Sequence, residues 1–224
     1  MKILLFGASG AVGNATLREA LDRGHEVTAV ARKPDRIGIV SSKMQCVPLD
    51  LLNQPDAAIN LAAGHDVLIS ALRPSEGREA DLVPLTGAVL DAARAHGIPA
   101  LITGGAALLK LADGSGHTVL SAPGFLPAEV RPIAEACAAQ DALLEKEREA
   151  YWTCLRPPAM LLESERRGHY ELGTDTLVTD AEGHSQISYA DFAVAMVDLA
   201  EAPQSPRRRL TAGWRAPAQT PQPA

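Results

Sequence analysis

Short apolar runs alternate with amphipathic stretches along the chain. Residues 2–6 form an apolar run that stops at Gly7, as buried parallel strands do, and residues 11–23 carry apolar side chains at helical spacing before Gly24. The same patterns predict further strands at 26–31, 45–49, 66–71, 99–103 and 152–155, and helices at 57–63, 78–96 and 132–148. Repeated strand–helix units predict an α/β fold with a parallel sheet and helices on both faces.

The periodicity is lost between residues 106 and 131, where glycines and prolines dominate. Such a long loop is usually functional or disordered, and we expect 111–130 to be a mobile lid, with a fixed loop in a dimer interface as the alternative. Beyond it, the pattern predicts a hairpin of 169–172 and 176–179, a helix at 189–200 and a strand at 209–212. We expect one domain at 1–214, with a small C-terminal substrate lobe from about 157 to 214 and a disordered tail at 215–224.

A glycine-rich turn follows the first predicted strand and opens the first predicted helix. Gly7 permits the tight turn, Gly10 lets a pyrophosphate approach the backbone, and Gly13 lets the helix pack against the strand. The exposed amide groups and the positive helix end would face the phosphates. The sequence therefore predicts a Rossmann-type doubly wound sheet that binds a dinucleotide. The predicted turn consists of Gly7, Ala8, Ser9, Gly10, Ala11, Val12 and Gly13.

The tip of the second strand indicates which dinucleotide is bound. An acidic residue there would bind the ribose 2′-hydroxyl of NAD, but the strand ends in Arg32 and Lys33. Arg32 can pair with a 2′-phosphate and Lys33 adds charge, so we expect NADP to be preferred over NAD. The alternative is that both are solvated loop cations.

Other strand ends supply further candidates for the cofactor site. Asp50 and Leu51 follow the third strand, where the carboxylate could meet the adenine amino group or instead cap a turn. Ala71, Leu72 and Arg73 follow the fourth strand, and small residues there would let the cofactor pass.

Composition and charge limit the classes of partner and the compartment that the sequence allows. The formal net charge of −6 disfavours nucleic-acid binding, and we interpret the short run Arg207–Arg209 as solvent-exposed. Three widely spaced cysteines and six scattered histidines predict no metal site and a reducing compartment. The first residues do not resemble a signal peptide and no apolar stretch could span a membrane, so we expect a cytoplasmic protein without membrane contact.

Four segments in order resemble the atypical short-chain dehydrogenases of the NmrA-like group. They are 7–13, 103–106, 152–158 and 187–193, and within the group the chain is most similar to bacterial proteins provisionally named NADH-flavin reductases, which share the fold of biliverdin reductase B. The resemblance covers residues 1 to about 214. It implies that Thr103 and Gly104 lie beside the nicotinamide and that Pro157 closes over it. It also implies that residues 188–191 close the substrate side. We expect Gly105, Phe125 and Tyr189 in the substrate pocket. Asp191 has an alternative role as an acid stabilised by the helix dipole.

One departure from the short-chain dehydrogenase pattern matters for the chemistry. The Tyr-x-x-x-Lys pair expected on the helix after the fifth strand is missing, because 132–148 contains no tyrosine and Tyr151 is followed four positions later by Leu155. This argues against an epimerase, a dehydratase or a carbonyl reductase. Two hypotheses follow: an NADPH-dependent reductase of flavin or another flat small-molecule acceptor, and an NADP(H)-sensing regulator that acts through a protein partner. A homodimer is compatible with both.

Overall fold

The structure is a computed structural model that describes residues 1–202 and 207–215. Its centre is an eight-stranded sheet in the order β3-β2-β1-β4-β5-β6-β10-β8. Every neighbouring pair in this sheet is parallel except β10 and β8. The strands of this sheet are β1 (Lys2–Phe6), β2 (Glu26–Ala31), β3 (Met44–Pro48), β4 (Val67–Ser70), β5 (Ala100–Thr103), β6 (Trp152–Arg156), β8 (Glu171–Gly173) and β10 (Arg208–Gly213).

Helices cover both faces of the sheet, which confirms the predicted fold class. They are α1 (Ala11–Asp22), α2 (Pro55–Ala62), α3 (Leu82–His96), α4 (Arg131–Lys146) and α5 (Tyr189–Glu201). Side chains alternate along β1, so Ile3 and Leu5 pack on the face that α1 and α5 cover, while Leu4 and Phe6 pack toward α2 and α3. Burial on both faces explains why the strands are continuous apolar runs.

The strand order reverses direction between β1 and β4. Chain segments leave these two neighbours toward opposite sides of the sheet, which opens a crevice beyond their carboxyl ends. Gly7 follows β1 and Ala71 follows β4, and the two lie in contact there. The topology is that of the Rossmann type, and it places the glycine-rich turn at the point where such sheets bind ligands.

The predicted C-terminal hairpin is wrong. β8 pairs with β10, while Thr176 forms a parallel bridge with Lys110. Lys110 donates to the carbonyl of Asp175 at 2.8 Å, and the buried Arg156 donates to the carbonyl of Thr174, so these groups hold the chain away from β8.

Two short strands were not predicted, and one helix begins later than expected. β7 (Met160–Leu162) and β9 (Gln186–Ser188) form a separate two-stranded parallel sheet beside the main one. The chain turns through a short 3-10 helix at Glu79–Asp81 before α3 begins. The expected disordered tail lies outside the described residues from position 216 onward.

The segment 106–130 is not one uniform loop. Leu109 and Val119 are buried together with Leu177, and Val119 donates to the carbonyl of Leu109 at 2.9 Å. By contrast, Phe125 and Val130 are exposed. The segment is therefore anchored at Leu109 and Val119, whereas Phe125 and Val130 lie at the surface.

Candidate functional site

The glycine-rich turn has the geometry that its sequence predicts. Gly7 has φ +81°, and a side chain on it would come within 2.5 Å of the Ala71 carbonyl oxygen. A side chain on Gly13 would come within 2.1 Å of the Gly7 carbonyl oxygen, so this glycine lets α1 approach the turn. A side chain on Gly10 would meet only the Gly7 oxygen, at 3.4 Å, and would otherwise enter open space.

The N-terminus of α1 faces this open space without a protein group that neutralises it. No side chain caps the helix at Gly10, and its first turn carries no acidic residue. Free amide groups and the positive end of a helix dipole attract anions. The residues present therefore fit a pyrophosphate group, with room above Gly10 where its oxygens could approach the backbone.

An outer cleft runs from this turn past the tip of β2. It has a volume of about 190 Å³, and Arg32 lines it, whereas Lys33 does not. Lys33 is nevertheless exposed, and so is Arg36. Neither Arg32 nor Lys33 forms an ion pair within residues 1–202 and 207–215. Two cations beside the cleft are thus available to a bound anion.

Asp50 also lines the outer cleft, but its carboxylate is already engaged. It accepts from the Leu52 amide at 3.2 Å and from the Asn53 side chain at 2.8 Å. These two bonds support the role of a turn residue, and the carboxylate keeps further lone pairs that could accept from an adenine amino group. Asp81, another acid at this cleft, is paired with Arg78 at 2.7 Å.

An inner cleft continues from the turn toward β5 and β6. Ala11, Val12, Thr103, Gly104 and Pro157 line it. The Thr103 hydroxyl is buried without a hydrogen-bond partner within the described residues. A buried hydroxyl normally has a partner, so this orphaned group fits a cleft that receives a polar ligand such as a carboxamide.

An apolar cleft of about 540 Å³ opens beyond the inner one. It contains the predicted substrate-pocket residues Gly105, Phe125 and Tyr189. Residues 125–130, α4 and the start of the C-terminal lobe form its walls. Tyr189 and Pro157 line both clefts, which makes the inner and apolar clefts one continuous space.

Gly104 and Gly105 make room for two thiols rather than for a ligand. A side chain on Gly104 would come within 2.6 Å of the Cys154 sulfur, and one on Gly105 within 2.4 Å of the Cys137 sulfur. Burial raises the pKa of Cys137 to about 11 and that of Cys154 to about 12, so both thiols stay protonated near neutral pH. A larger residue at Gly105 would press on α4 through Cys137 instead of projecting directly into the apolar cleft.

Ser188 and Asp191 do not close the substrate side, contrary to what the resemblance implied. Both are fully buried, and Ser188 caps α5 by accepting from the Asp191 amide at 2.9 Å. The Asp191 carboxylate accepts from the Gly168 amide at 2.7 Å and from the Trp214 indole at 2.9 Å. Asp191 is thus a structural anchor in the first turn of α5, and only its neighbour Tyr189 reaches the clefts.

Known protein families include one that matches this chain over most of its length. The sequence model of the family described as NAD(P)H-binding matches residues 7–203. The chain belongs to this NAD(P)H-binding family. Among curated proteins, the uncharacterised YwnB of Bacillus subtilis is 32% identical over 215 residues, covering 94% of this chain and 97% of that protein.

Solved structures agree with the family. A Bacteroides thetaiotaomicron protein provisionally named an epimerase has a TM-score of 0.86 and 34% identity, covering 97% of this chain and 99% of its own. A Streptococcus pneumoniae protein provisionally named an NADH-flavin reductase has a TM-score of 0.84 and 28% identity, covering 95% and 99%. The resemblance to atypical short-chain dehydrogenases is confirmed. The chain belongs to a family of NAD(P)H-binding oxidoreductases.

In this NAD(P)H-binding protein, most residues predicted for the site line the clefts. Ala8 and Gly13 are buried beneath the turn, and Lys33 stands outside the outer cleft. The remaining predicted cofactor residues line the outer or the inner cleft: Gly7, Ser9, Gly10, Ala11, Val12, Arg32, Asp50, Leu51, Ala71, Leu72, Arg73, Thr103, Gly104 and Pro157.

Sequence reasoning missed the contribution of α4. Ile133 and Cys137 line both the inner and the apolar clefts, and Val130 precedes them at the helix start. Their spacing of four residues puts Ile133 and Cys137 on one helix face, which was a usable signal. The same spacing is equally typical of ordinary core packing, so the pattern alone did not separate the two roles.

The basic run Arg207–Arg209 is only partly solvated. Arg209 pairs with Asp141 at 2.7 Å, and its guanidinium lies 5.3 Å from the centre of the Trp152 ring. It therefore attaches β10 to α4. Across residues 1–202 and 207–215, no helix is long and apolar enough to cross a membrane, and no three His, Cys, Asp or Glu side chains are grouped to hold a metal ion.

Proposed function

We propose that this protein is an NADPH-dependent reductase of flavin or a similar flat, conjugated acceptor. The family and the Streptococcus pneumoniae relative support a nicotinamide-dependent reductase, and the apolar cleft supports a flat acceptor. Bound NADPH would supply the hydride. Gly10 and the N-terminus of α1 would hold its pyrophosphate, and Thr103 would offer its unpaired hydroxyl in the inner cleft.

The observation that carries this proposal is the chemical character of the two joined clefts. Among described residues, the ionisable side chains that line them are Arg73, Cys137 and Tyr189, with no lysine, histidine or carboxylate. Reduction of a carbonyl creates an alkoxide that needs a proton donor, and a tyrosine–lysine pair is the usual supplier. A flavin or quinone ring instead spreads the charge over many atoms and can take its proton from water.

The tyrosines fit this interpretation. Tyr151 precedes β6, so it lies at the edge of the sheet opposite the clefts. Tyr170 donates to Asp198 at 2.6 Å and does not line the clefts. Tyr189 remains as a cleft residue without a neighbouring lysine in the lining, and we assign it a packing role against the acceptor. The protein then contributes chiefly position, by holding two flat rings in contact.

NADP is the cofactor that the outer cleft favours. Arg32 and Lys33 can pair with a 2′-phosphate, while the acids that line this cleft, Asp50 and Asp81, are occupied by their own partners. A free carboxylate that would bind the 2′-hydroxyl of NAD is absent from that lining, within the residues described.

The test is a turnover assay with purified full-length protein. NADPH oxidation is followed by its absorbance with riboflavin, flavin mononucleotide and neutral quinones, and with an aliphatic ketone as the matched control. We expect turnover with several flat acceptors and none with the ketone. Tight NADPH binding without turnover of any acceptor would contradict the proposal and favour a cofactor-sensing protein.

A further inference from the structure

Arg73 stands where the outer, inner and apolar clefts meet. It lines all three, and it is exposed. Within residues 1–202 and 207–215 its side chain forms no hydrogen bond or ion pair, unlike neighbouring Arg78, which is paired with Asp81. Pro74 follows it and disfavours a helical conformation at Arg73.

The surroundings of Arg73 are unusual for a cation. It is the single charged residue among the described residues that line the apolar cleft, whose other walls include Phe125, Ile133 and Pro157. Its charge reaches Cys137 on α4, where it lowers the thiol pKa against the larger rise due to burial. The guanidinium therefore acts on the side where the inner and apolar clefts join.

We infer that Arg73 selects acceptors that carry a negative charge on or next to their ring. This inference rests on the proposed function and adds the class of acceptor: flat, apolar and anionic, such as ionised hydroxyquinones or carboxylated conjugated rings. An unpaired guanidinium beside an apolar cleft lacks a counter-charge, and such an acceptor would supply one through a charge-assisted hydrogen bond. Arg73 also lines the outer cleft beside Gly7 and Gly10, so the pyrophosphate of the cofactor is the competing partner, and the experiment separates the two.

The experiment compares two ring systems of the same size. 2-Hydroxy-1,4-naphthoquinone is an anion at neutral pH, and 2-methyl-1,4-naphthoquinone is neutral. Their binding is measured by calorimetry on protein saturated with NADP⁺, so no turnover occurs, for the wild type, Arg73→Gln and Arg73→Lys. Arg131→Gln is the matched control, because Arg131 is exposed at the start of α4 but does not line the clefts.

Arg73→Gln should weaken binding of the anionic quinone by about 10- to 100-fold, the range of a hydrogen bond to a charged group, and change binding of the neutral quinone by less than about threefold. Arg73→Lys should retain part of the preference. Arg131→Gln should behave as the wild type. Added salt should weaken binding of the anionic quinone to the wild type and have little effect on its binding to Arg73→Gln.

Three results would overturn the inference. If Arg73→Gln weakens NADP⁺ binding and leaves the ratio of the two quinone affinities unchanged, the guanidinium binds the cofactor and not the acceptor. If the wild type binds both quinones and the ratio is the same in every variant, Arg73 does not select the acceptor, although the proposed function survives. If the wild type binds NADP⁺ but neither quinone nor flavin, the proposed function fails and the role of Arg73 fails with it.

Discussion

Two glycines of the same turn should respond in opposite ways to an added side chain. Gly10 has φ −82° and ψ 167°, an extended conformation that any residue adopts, and its side-chain direction is open. Gly10→Val should therefore change the free energy of unfolding by about 1 kcal/mol or less, the scale of an altered helix cap. The valine would occupy the space where the pyrophosphate approaches, so we expect NADPH affinity to fall by about 100-fold or more, about 2.7 kcal/mol.

Gly13→Ala should affect the fold instead. Its methyl group would lie 2.1 Å from the Gly7 oxygen and 3.0 Å from the Ala8 Cα, and both contacts are backbone atoms that cannot rotate away. Such overpacking costs about 1–3 kcal/mol. At about 2–4 °C per kcal/mol for a chain of this size, a cost near 3 kcal/mol lowers the melting temperature by roughly 6–12 °C.

The assay combines thermal unfolding followed by circular dichroism with NADPH titration by calorimetry. Gly87→Val is the matched control, since Gly87 lies in α3 with no atom within 4 Å of its side-chain position and does not line the clefts. It should bind NADPH as the wild type does. Wild-type affinity in Gly10→Val would refute the placement of the pyrophosphate, and unchanged stability in Gly13→Ala would refute the packing argument.

Three further predictions concern selectivity, proton supply and closure. Arg32→Ala should weaken NADPH binding by about 1–3 kcal/mol and leave NADH binding nearly unchanged; equal affinity of the wild type for both cofactors, measured by calorimetry, would contradict this. Tyr189→Phe and Tyr151→Phe should each keep most flavin reductase activity in the absorbance assay, whereas a loss of about 1000-fold would reveal a general acid. Hydrogen exchange in 123–130 should slow when cofactor and acceptor bind, and no change there would favour a fixed loop.

The part of the candidate site around the glycine-rich turn could be predicted from the sequence because its determinants are local. Gly7, Gly10 and Gly13 act through backbone geometry within one turn, and the strand before them shows its burial as an unbroken apolar run. Arg32 and Arg73 could be predicted for a similar reason, because Arg32 comes directly after β2 and Arg73 lies three residues after the end of β4. Strand ends in a parallel sheet meet at one edge, so locating the strands located these side chains.

The apolar cleft was predicted less well, because the residues that form it are distant in sequence. β7 and β9 are three residues each and pair across more than twenty residues, which leaves no periodic signal. The predicted hairpin at 169–179 failed because Arg156 and Lys110 compete for the carbonyl groups of its turn. The sequence pattern of 187–193 was recognisable, but it did not show that Asp191 points into the lobe while Tyr189 faces the cleft.

The buried Asp191 carboxylate also links the shape of the apolar cleft to the strand that ends at Gly213. One of its donors is the Trp214 indole, and Tyr189 lies two residues before Asp191 on the same helical turn. A polypeptide trimmed by proteolysis ahead of Trp214 would leave this carboxylate one partner short in a dry interior, where a missing hydrogen bond to a charged group costs about 1.5–3 kcal/mol. Loss of Trp214 should therefore displace Tyr189 in the apolar cleft. We expect such a truncation to weaken acceptor binding before it weakens cofactor binding.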